Sequence, residues 1–461
     1  MKWRNRFHQL KRHAKRVSRH YEVIKSVFLV VLIVLSLFLT WSLWTLKPDL
    51  GSLENTKTLK KEQVTDAKKV SEVIRPIQMM YYNKTSYLGV PANDKFTKQV
   101  KDMLENAKFY DTRTKSTKNL EETLVNREHI EIIYPEEMSS EVYSQIFNVA
   151  SSGGTFTIPS ADRVIFYKNA SNDVEAYIVS YGTEKMIAAS TTLSFDSLKR
   201  LVNQQEKSLV EYEPYVVQKQ DDKGSHGSKR FYFPSHAFKL NVYNYLARSI
   251  SEDTIDRYKN ALFRDPSNVK SSNDYYTDEI SAMNIYNGNR FKYTNFSQER
   301  TEDFSQQSKG PLLSSVEYVN SHAGWGMPYY YSGNEEASST TTFVPFIRGL
   351  PILNSEMKMK LVWNNNDLSE YQRSMVELNT DAKDVGFTTK KVELESGEQV
   401  KQALKSYDSS QIHGIMIGYE MKVTKNQYNL YVLEPKWFIN AGQNHEWHPL
   451  FRDEPRPGGD R

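Results

Sequence analysis

The chain contains no cysteine in 461 residues. That excludes a disulfide scaffold, a Cys-ligated zinc or iron–sulfur site and a thiol nucleophile. Also missing are a phosphate-cradling glycine loop, a His-Glu-x-x-His pair and a Gly-x-Ser-x-Gly elbow, the short motifs of nucleotide, zinc-protease and hydrolase chemistry. His445 and His448 stand three apart, but they follow an expected strand and precede Pro449, so the stretch reads as an exposed tail. Ser267 with Lys270 and Ser355 with Lys358 have Ser-x-x-Lys spacing, without the Lys-Thr-Gly strand that serine acyltransferases need. Among 56 Asp and Glu residues no pair is singled out for glycoside hydrolysis. The expectation is no catalytic residue, no cofactor and no metal, hence not an enzyme.

Charge is absent from one long stretch. Val27 to Leu46 runs twenty residues without an ionisable side chain. At about 1.5 Å per residue a helix of that length spans roughly 30 Å, the hydrocarbon core of a bilayer. Residues 1–26 carry nine basic residues against Glu22 alone, a net +8, while the whole chain is +4, leaving −4 for the rest. The positive-inside rule keeps the basic end cytoplasmic and exports the bulk. Lys25 and the pair Trp41 and Trp44 then serve as interface anchors at the two ends of the span. A cleaved signal would have a shorter apolar region and small residues at its end; here Trp-Thr-Leu-Lys-Pro-Asp follows Leu43. A permanent single-pass anchor in the cell membrane is expected, with an extracytoplasmic bulk.

Ser36, Thr40 and Trp44 are four apart and share one face of that helix. Small hydroxyl residues let a partner helix approach closely, or they bond their own i−4 carbonyls; both readings stand. Ahead of the span, Trp3, Phe7, Leu10, Ala14, Val17 and Tyr21 form a narrow apolar stripe. The basic residues around it, Lys11, Arg12, Lys15, Arg16 and Arg19, suit anionic lipids of the inner leaflet, with a short partner-helix seam as the alternative. The exported part is net negative, which argues against nucleic acid.

Beyond the span, 39% hydrophobic and 12% aromatic residues indicate folded domains. The fold class expected is α+β, divided as a linker (47–75), an N-terminal α+β domain (76–212), a central β-rich domain (213–354), a C-terminal β-rich domain (355–448) and a disordered tail (449–461). In the first domain, helices are predicted over Ala92–Asn106, Thr117–Asn126, Ser139–Asn148 and Ser194–Gln204, with Asp94 and Ser194 as N-caps. Strands are predicted over Ile77–Asn83, His129–Tyr134, Arg163–Lys168 and Glu175–Ala188. Gln218–Arg230 reads as a hairpin tip or a boundary loop, and Asn287-Gly288-Asn289 as a tight turn. Strands, one helix and a hairpin occur in the same order at about 230–297 and 356–439, which suggests a duplication. The tyrosine runs 81–82, 275–276 and 329–331 fit sheet faces better than a sugar or peptide site.

Several segments together resemble the YycH family. They are Tyr21-Glu-Val-Ile-Lys-Ser-Val, the span with its Leu39-Thr-Trp exit, Ile74-Arg75-Pro76, Tyr232-Phe-Pro, and the hairpin Phe343-Val-Pro-Phe-Ile-Arg-Gly-Leu-Pro-Ile. The resemblance runs from Tyr21 to about Trp437; the residues ahead of it are longer and more basic than it implies. It implies a regulatory protein of the WalK/WalR (YycG/YycF) two-component system. Such a regulator acts with the related protein YycI on the WalK sensor histidine kinase in control of cell-wall metabolism. It further implies three exported domains, the last two of YycI-like hairpin and helix topology, and kinase contact largely through membrane helices. The second function class consistent with the residues is an extracytoplasmic sensor binding wall fragments or peptides, with the tyrosine-rich hairpin as its support.

Overall fold

The computed structural model describes residues 25, 27–38 and 40, and then 67–451 except 91–92, 149–157, 170, 221–225, 297–309, 336–338, 365–366, 380–386, 425–428 and 443–445. The basic stretch with Lys11, Arg12, Lys15, Arg16 and Arg19, the pair Trp41 and Trp44, most of the linker and the end of the tail lie outside the described residues. The chain divides into two units, Met1–Lys60 and Lys61–Arg461.

In the first unit the described residues from Lys25 to Thr40 are helical, and Val27–Leu35 with Leu37 and Phe38 expose their apolar side chains. Among the described residues no helix is long and apolar enough to cross a membrane; the apolar run continues past Thr40 to Leu46.

The second unit begins with a short buried helix, α1 (Val70–Val73), where the sequence reads as linker. The first sheet is built from β1 (Gln78–Tyr82), β2 (Tyr87–Val90), β3 (Phe109–Ser116), β4 (His129–Ser139), β5 (Ser160–Lys168), β6 (Val174–Ser180), β7 (Lys185–Thr191), β8 (Val210–Gln220) and β9 (His226–Pro234). Its order is β3-β7-β6-β5-β4-β1-β2-β8-β9. Helices α2 (Asp94–Asn106), α3 (Leu120–Leu124), α4 (Ser140–Ile146) and α5 (Phe195–Asn203) accompany it. α2 buries Phe96, Val100 and Leu104, one stripe at a spacing of four. Its cap is Asn93, whose side chain accepts from the Phe96 N–H, and not Asp94 as expected. The Asp94 carboxylate is used elsewhere, on Arg75 at 2.6 Å. β5 is buried along seven consecutive residues because both sheet faces are covered, which is why Ala161–Tyr167 shows no alternation. The stretch Glu175–Ala188 is two strands, β6 and β7, joined by a tight turn.

The remaining chain contributes β10 (Phe238–Leu246), α6 (Glu252–Leu262), β11 (Lys270–Ser272), β12 (Tyr275–Thr277), β13 (Ser281–Tyr286), β14 (Arg290–Asn295), α7 (Pro311–Ser321), β15 (Tyr329–Glu335), β16 (Thr340–Ile347), β17 (Leu350–Pro351), β18 (Met359–Asn364), β19 (Asp367–Ser374), β20 (Phe387–Leu394), α8 (Gly397–Leu404), β21 (Ile412–Val423), β22 (Leu430–Ala441) and β23 (Trp447–Pro449). Asn287 and Gly288 both have positive φ, as the tight β13–β14 turn requires. The second sheet runs β11-β12-β13-β14-β19-β18-β16-β15, with β17 on β16; the third runs β20-β10-β22-β21, with β23 on β22. The two stretches of similar element order therefore each supply strands to both later sheets. β10 joins β20 and β22, and β14 joins β19, so pairing crosses residue 354. Of the His-Glu-Trp-His stretch, His445 lies outside the described residues; Trp447, expected in an exposed tail, is buried and its strand pairs with β22, with His448 exposed beside it.

An ionic cluster ties the first sheet to the third. On β5, Asp162 and Arg163 pair at 3.0 Å, and Arg163 stands 3.5 Å from Glu131 on β4, all three fully buried. Lys229 on β9 reaches Asp162 at 3.3 Å and donates to the His413 carbonyl on β21 at 3.0 Å. Burial alone would raise the Asp162 carboxyl, but Arg163 and Lys229 outweigh it and hold it at about 2. A depressed carboxyl contributes stability that is complete above its unfolded value near pH 4 and is lost as pH falls toward 2. Replacing Asp162→Asn leaves two buried cations short of a partner and is expected to cost about 3–5 kcal/mol at pH 7. Denaturant titrations should show that deficit shrinking between pH 4 and pH 2.

Candidate functional site

The chain enters the folded body through a clamp. The Asn320 side chain at the end of α7 accepts from the Lys68 N–H at 2.9 Å and donates to the Lys68 carbonyl at 2.8 Å. The same amide oxygen accepts from the Trp325 indole at 2.8 Å. The Lys68 ammonium sits 4.9 Å over that indole ring, and burial pulls its pKa down to about 8. Trp325 is itself held by Arg373 on β19, a buried guanidinium that donates to the carbonyls of Gly324 and Trp325. A few residues on, Arg75 packs 5.3 Å from the Tyr330 ring and 5.1 Å from Phe346, and pairs with Asp94. The next residues form β1 in the middle of the first sheet. Residues 68–82 are thus fastened to α7 by hydrogen bonds of the Asn320 amide, to the second sheet by the rings of Tyr330 and Phe346, and to the first by a strand.

Beside this lead-in lies a cavity of about 410 Å³ where the three sheets meet. Its floor is apolar and aromatic: Ile77 ahead of β1, Tyr212 of β8, Tyr232 of β9, Phe346 of β16, Ile417 of β21 and Trp437 of β22. Burial raises the Tyr212 hydroxyl to about 12 and pushes Tyr232 well above its ordinary value, so both phenols are neutral. Its rim carries Arg348, Lys239, Gln78 and Asn241. Arg348 and Gly349 both have positive φ, forming the tight turn between β16 and β17 that carries the guanidinium outward. Arg348 Nε donates to the Tyr245 hydroxyl at 3.4 Å, and the guanidinium lies 5.6 Å over the Tyr243 ring. Tyr243 in turn meets Tyr419 edge-on at 6.2 Å. Rigid aromatic walls with a few polar groups at the mouth are the ordinary form of a small-molecule site.

Of the residues singled out in the sequence, Lys25, Ser36 and Thr40 are among those described. Thr40 Oγ1 donates to the Ser36 carbonyl at 2.8 Å, the bond within one helix that its spacing allows. Lys25 is exposed. None of them belongs to the cavity. Two segments noted for family resemblance contribute to its lining, Tyr232 of Tyr232-Phe-Pro and the hairpin around Phe346 and Arg348, while Ile74-Arg75-Pro76 ends one residue before the lining residue Ile77. Reading residue by residue missed the site because Arg348, Tyr243 and Tyr419 come from a turn and two separate strands with no fixed spacing. Tyr329 and Tyr331 are buried core residues, while Tyr330 faces Arg75. Among the described residues no group of three or more His, Asp or Glu could hold a metal ion.

Asn320→Ala leaves both backbone groups of Lys68 without their partner. The expected cost is about 1–3 kcal/mol, with amide exchange accelerated over residues 67–77 and unchanged in β5 and β6. Hydrogen-exchange mass spectrometry reads both.

The profile for the YycH protein N-terminal domain matches residues 22–207, and that for the YycH protein C-terminal domain matches 228–454. The "Two-component system WalR/WalK regulatory protein YycH" of Bacillus subtilis (strain 168) is 23% identical over 482 residues, covering 95% of this chain and 98% of that protein. The crystal structure of YycH from Bacillus subtilis has the same fold, with a TM-score of 0.67 at 19% identity over 85% of this chain and 99% of that one. With both of its halves matched, and its mixed α+β fold of large antiparallel sheets shared, the chain belongs to the YycH family.

Proposed function

We propose that this chain is a non-enzymatic, membrane-anchored regulator of a WalK-type sensor histidine kinase controlling cell-wall metabolism, acting together with a YycI-like partner. The observation that carries this reading is the end-to-end match to a protein named as a WalR/WalK regulator. The uncharged run Val27–Leu46 and the +8 segment ahead of it support a single-pass anchor, with the basic residues on inner-leaflet lipid and the rest extracytoplasmic. In this reading the second and third sheets are the YycI-like part, and their surface meets the second regulator.

A regulator shifts its kinase only by binding the two signalling states differently. The face with Ser36, Thr40 and Trp44 is the membrane contact in this proposal. Because the Thr40 hydroxyl is satisfied within its own helix, close packing at small residues drives the contact more than cross-helix hydrogen bonds do. Membrane contacts of about 0.6–2 kcal/mol each are enough to change a two-state equilibrium several-fold. The clamp at Lys68 gives the linker a firm attachment on the exported side.

Exchanging Val27–Leu46 for an unrelated apolar helix should abolish the effect on kinase autophosphorylation while the exported part keeps its unfolding midpoint. Unaltered autophosphorylation in that exchange would remove the membrane contact from the proposal.

A further inference from the structure

The junction cavity has a one-sided chemistry. Among the described residues its lining contains two cations, Arg348 and Lys239, and no carboxylate. The two differ in how firmly they are engaged. Lys239 pairs with Glu393 at 3.4 Å, but both side chains are about 60% exposed, so the pair is weak. Arg348 is held along one edge by Tyr245 and by the ring of Tyr243. Among the described residues its two terminal nitrogens have no hydrogen-bond partner, and a guanidinium fixed on one side presents a fork suited to a carboxylate or phosphate. Behind this mouth the walls are aliphatic and aromatic, and 410 Å³ falls within the range of about 300–1,000 Å³ typical of small-molecule sites.

We propose that this cavity binds an amphipathic anion, a single apolar chain ending in a phosphate or carboxylate, with the head on Arg348 and the chain against Tyr212, Tyr232, Ile417 and Trp437. The head is drawn to the rim because only there are cations available, and the chain displaces water from the apolar floor. The site lies against Ile77, directly after the clamped lead-in, and occupancy therefore stiffens the segment that joins the exported body to the linker. Binding itself does not depend on the kinase-regulator reading; only its consequence for kinase output rests on that reading.

The test is calorimetric titration of the full chain in phosphatidylcholine nanodiscs, with empty nanodiscs as reference. The probes are butyl, hexyl and octyl phosphate, hexanoate, hexanol and inorganic phosphate. Affinity is expected to rise about fourfold per methylene until the cavity is full, with hexanol and inorganic phosphate at least tenfold weaker than hexyl phosphate. Tighter hexyl phosphate than hexanoate identifies a phosphate head, and the reverse a fatty-acid head; either outcome supports the site. Arg348→Ala, at an exposed turn, should weaken both anions at least tenfold while the chain stays folded at the titration temperature. Ile417→Trp should fill the space and abolish binding. Hexanol binding as tightly as hexyl phosphate, an unaffected Arg348→Ala variant, or no saturable binding to the wild-type chain would each overturn the proposal. A kinase insensitive to an anion that does bind would instead count against the regulatory reading alone.

Discussion

One side chain, Asn320, holds the point where the chain from the linker joins the folded body. Its amide closes on both backbone groups of Lys68 and on the Trp325 indole at once. A part-buried backbone segment with neither group paired would be costly, and the short helix α1 has no length to stabilise itself. What keeps residues 68–75 in place is therefore tertiary: the amide, the Trp325 ring under Lys68, and the rings of Tyr330 and Phe346 around Arg75. Remove that seat and the segment ahead of β1 loses its tie to α7 and the second sheet, while β1 keeps its ladders to β2 and β4.

From this seat the architecture follows as a set of mutual constraints. Arg373 fixes the loop that carries Trp325, and thereby couples β19 and the second sheet to the lead-in. Lys229 and Asp162 close β9 onto β5 and reach β21 of the third sheet. The three sheets meet where Ile77 leaves the clamp, and the cavity is the space their curvatures leave unfilled. Its polar rim comes from a turn and two strands, and its floor from all three sheets. Changes in its occupancy and in the position of the lead-in are thus linked by contact, not by a long relay.

The local features were legible because they are written in neighbouring residues. The apolar run beside a basic block, the helix over Ala92–Asn106, the Asn287-Gly288 turn and the reversal of the chain between β8 and β9 all follow from short-range pattern. Pairing partners were not legible. Element order suggested two similar stretches, but which strands pair depends on which faces must be covered, and β10 and β14 find partners far along the chain. Asp94 looked like a cap and became an ion-pair partner because Arg75 needed one. Trp447 looked like tail because its burial depends on residues far back in the chain, Val344, Phe346 and Leu353, as well as on Met416 and Phe438 of the closing hairpin. The cavity was least legible: its aromatic floor has the composition of an ordinary core, and only the placement of Arg348 at a left-handed turn sets it apart.

The central claim of the proposed function is that the folded body acts on a membrane helix over Val27–Leu46 through a firmly seated lead-in. Inserting eight Gly-Ser residues between Lys61 and Ala67 separates the seat from that apolar run without touching either. Autophosphorylation of a co-reconstituted WalK-type kinase should then become independent of this chain, although the folded body keeps its unfolding midpoint. A kinase that responds to the lengthened chain as fully as to the native one would contradict the account.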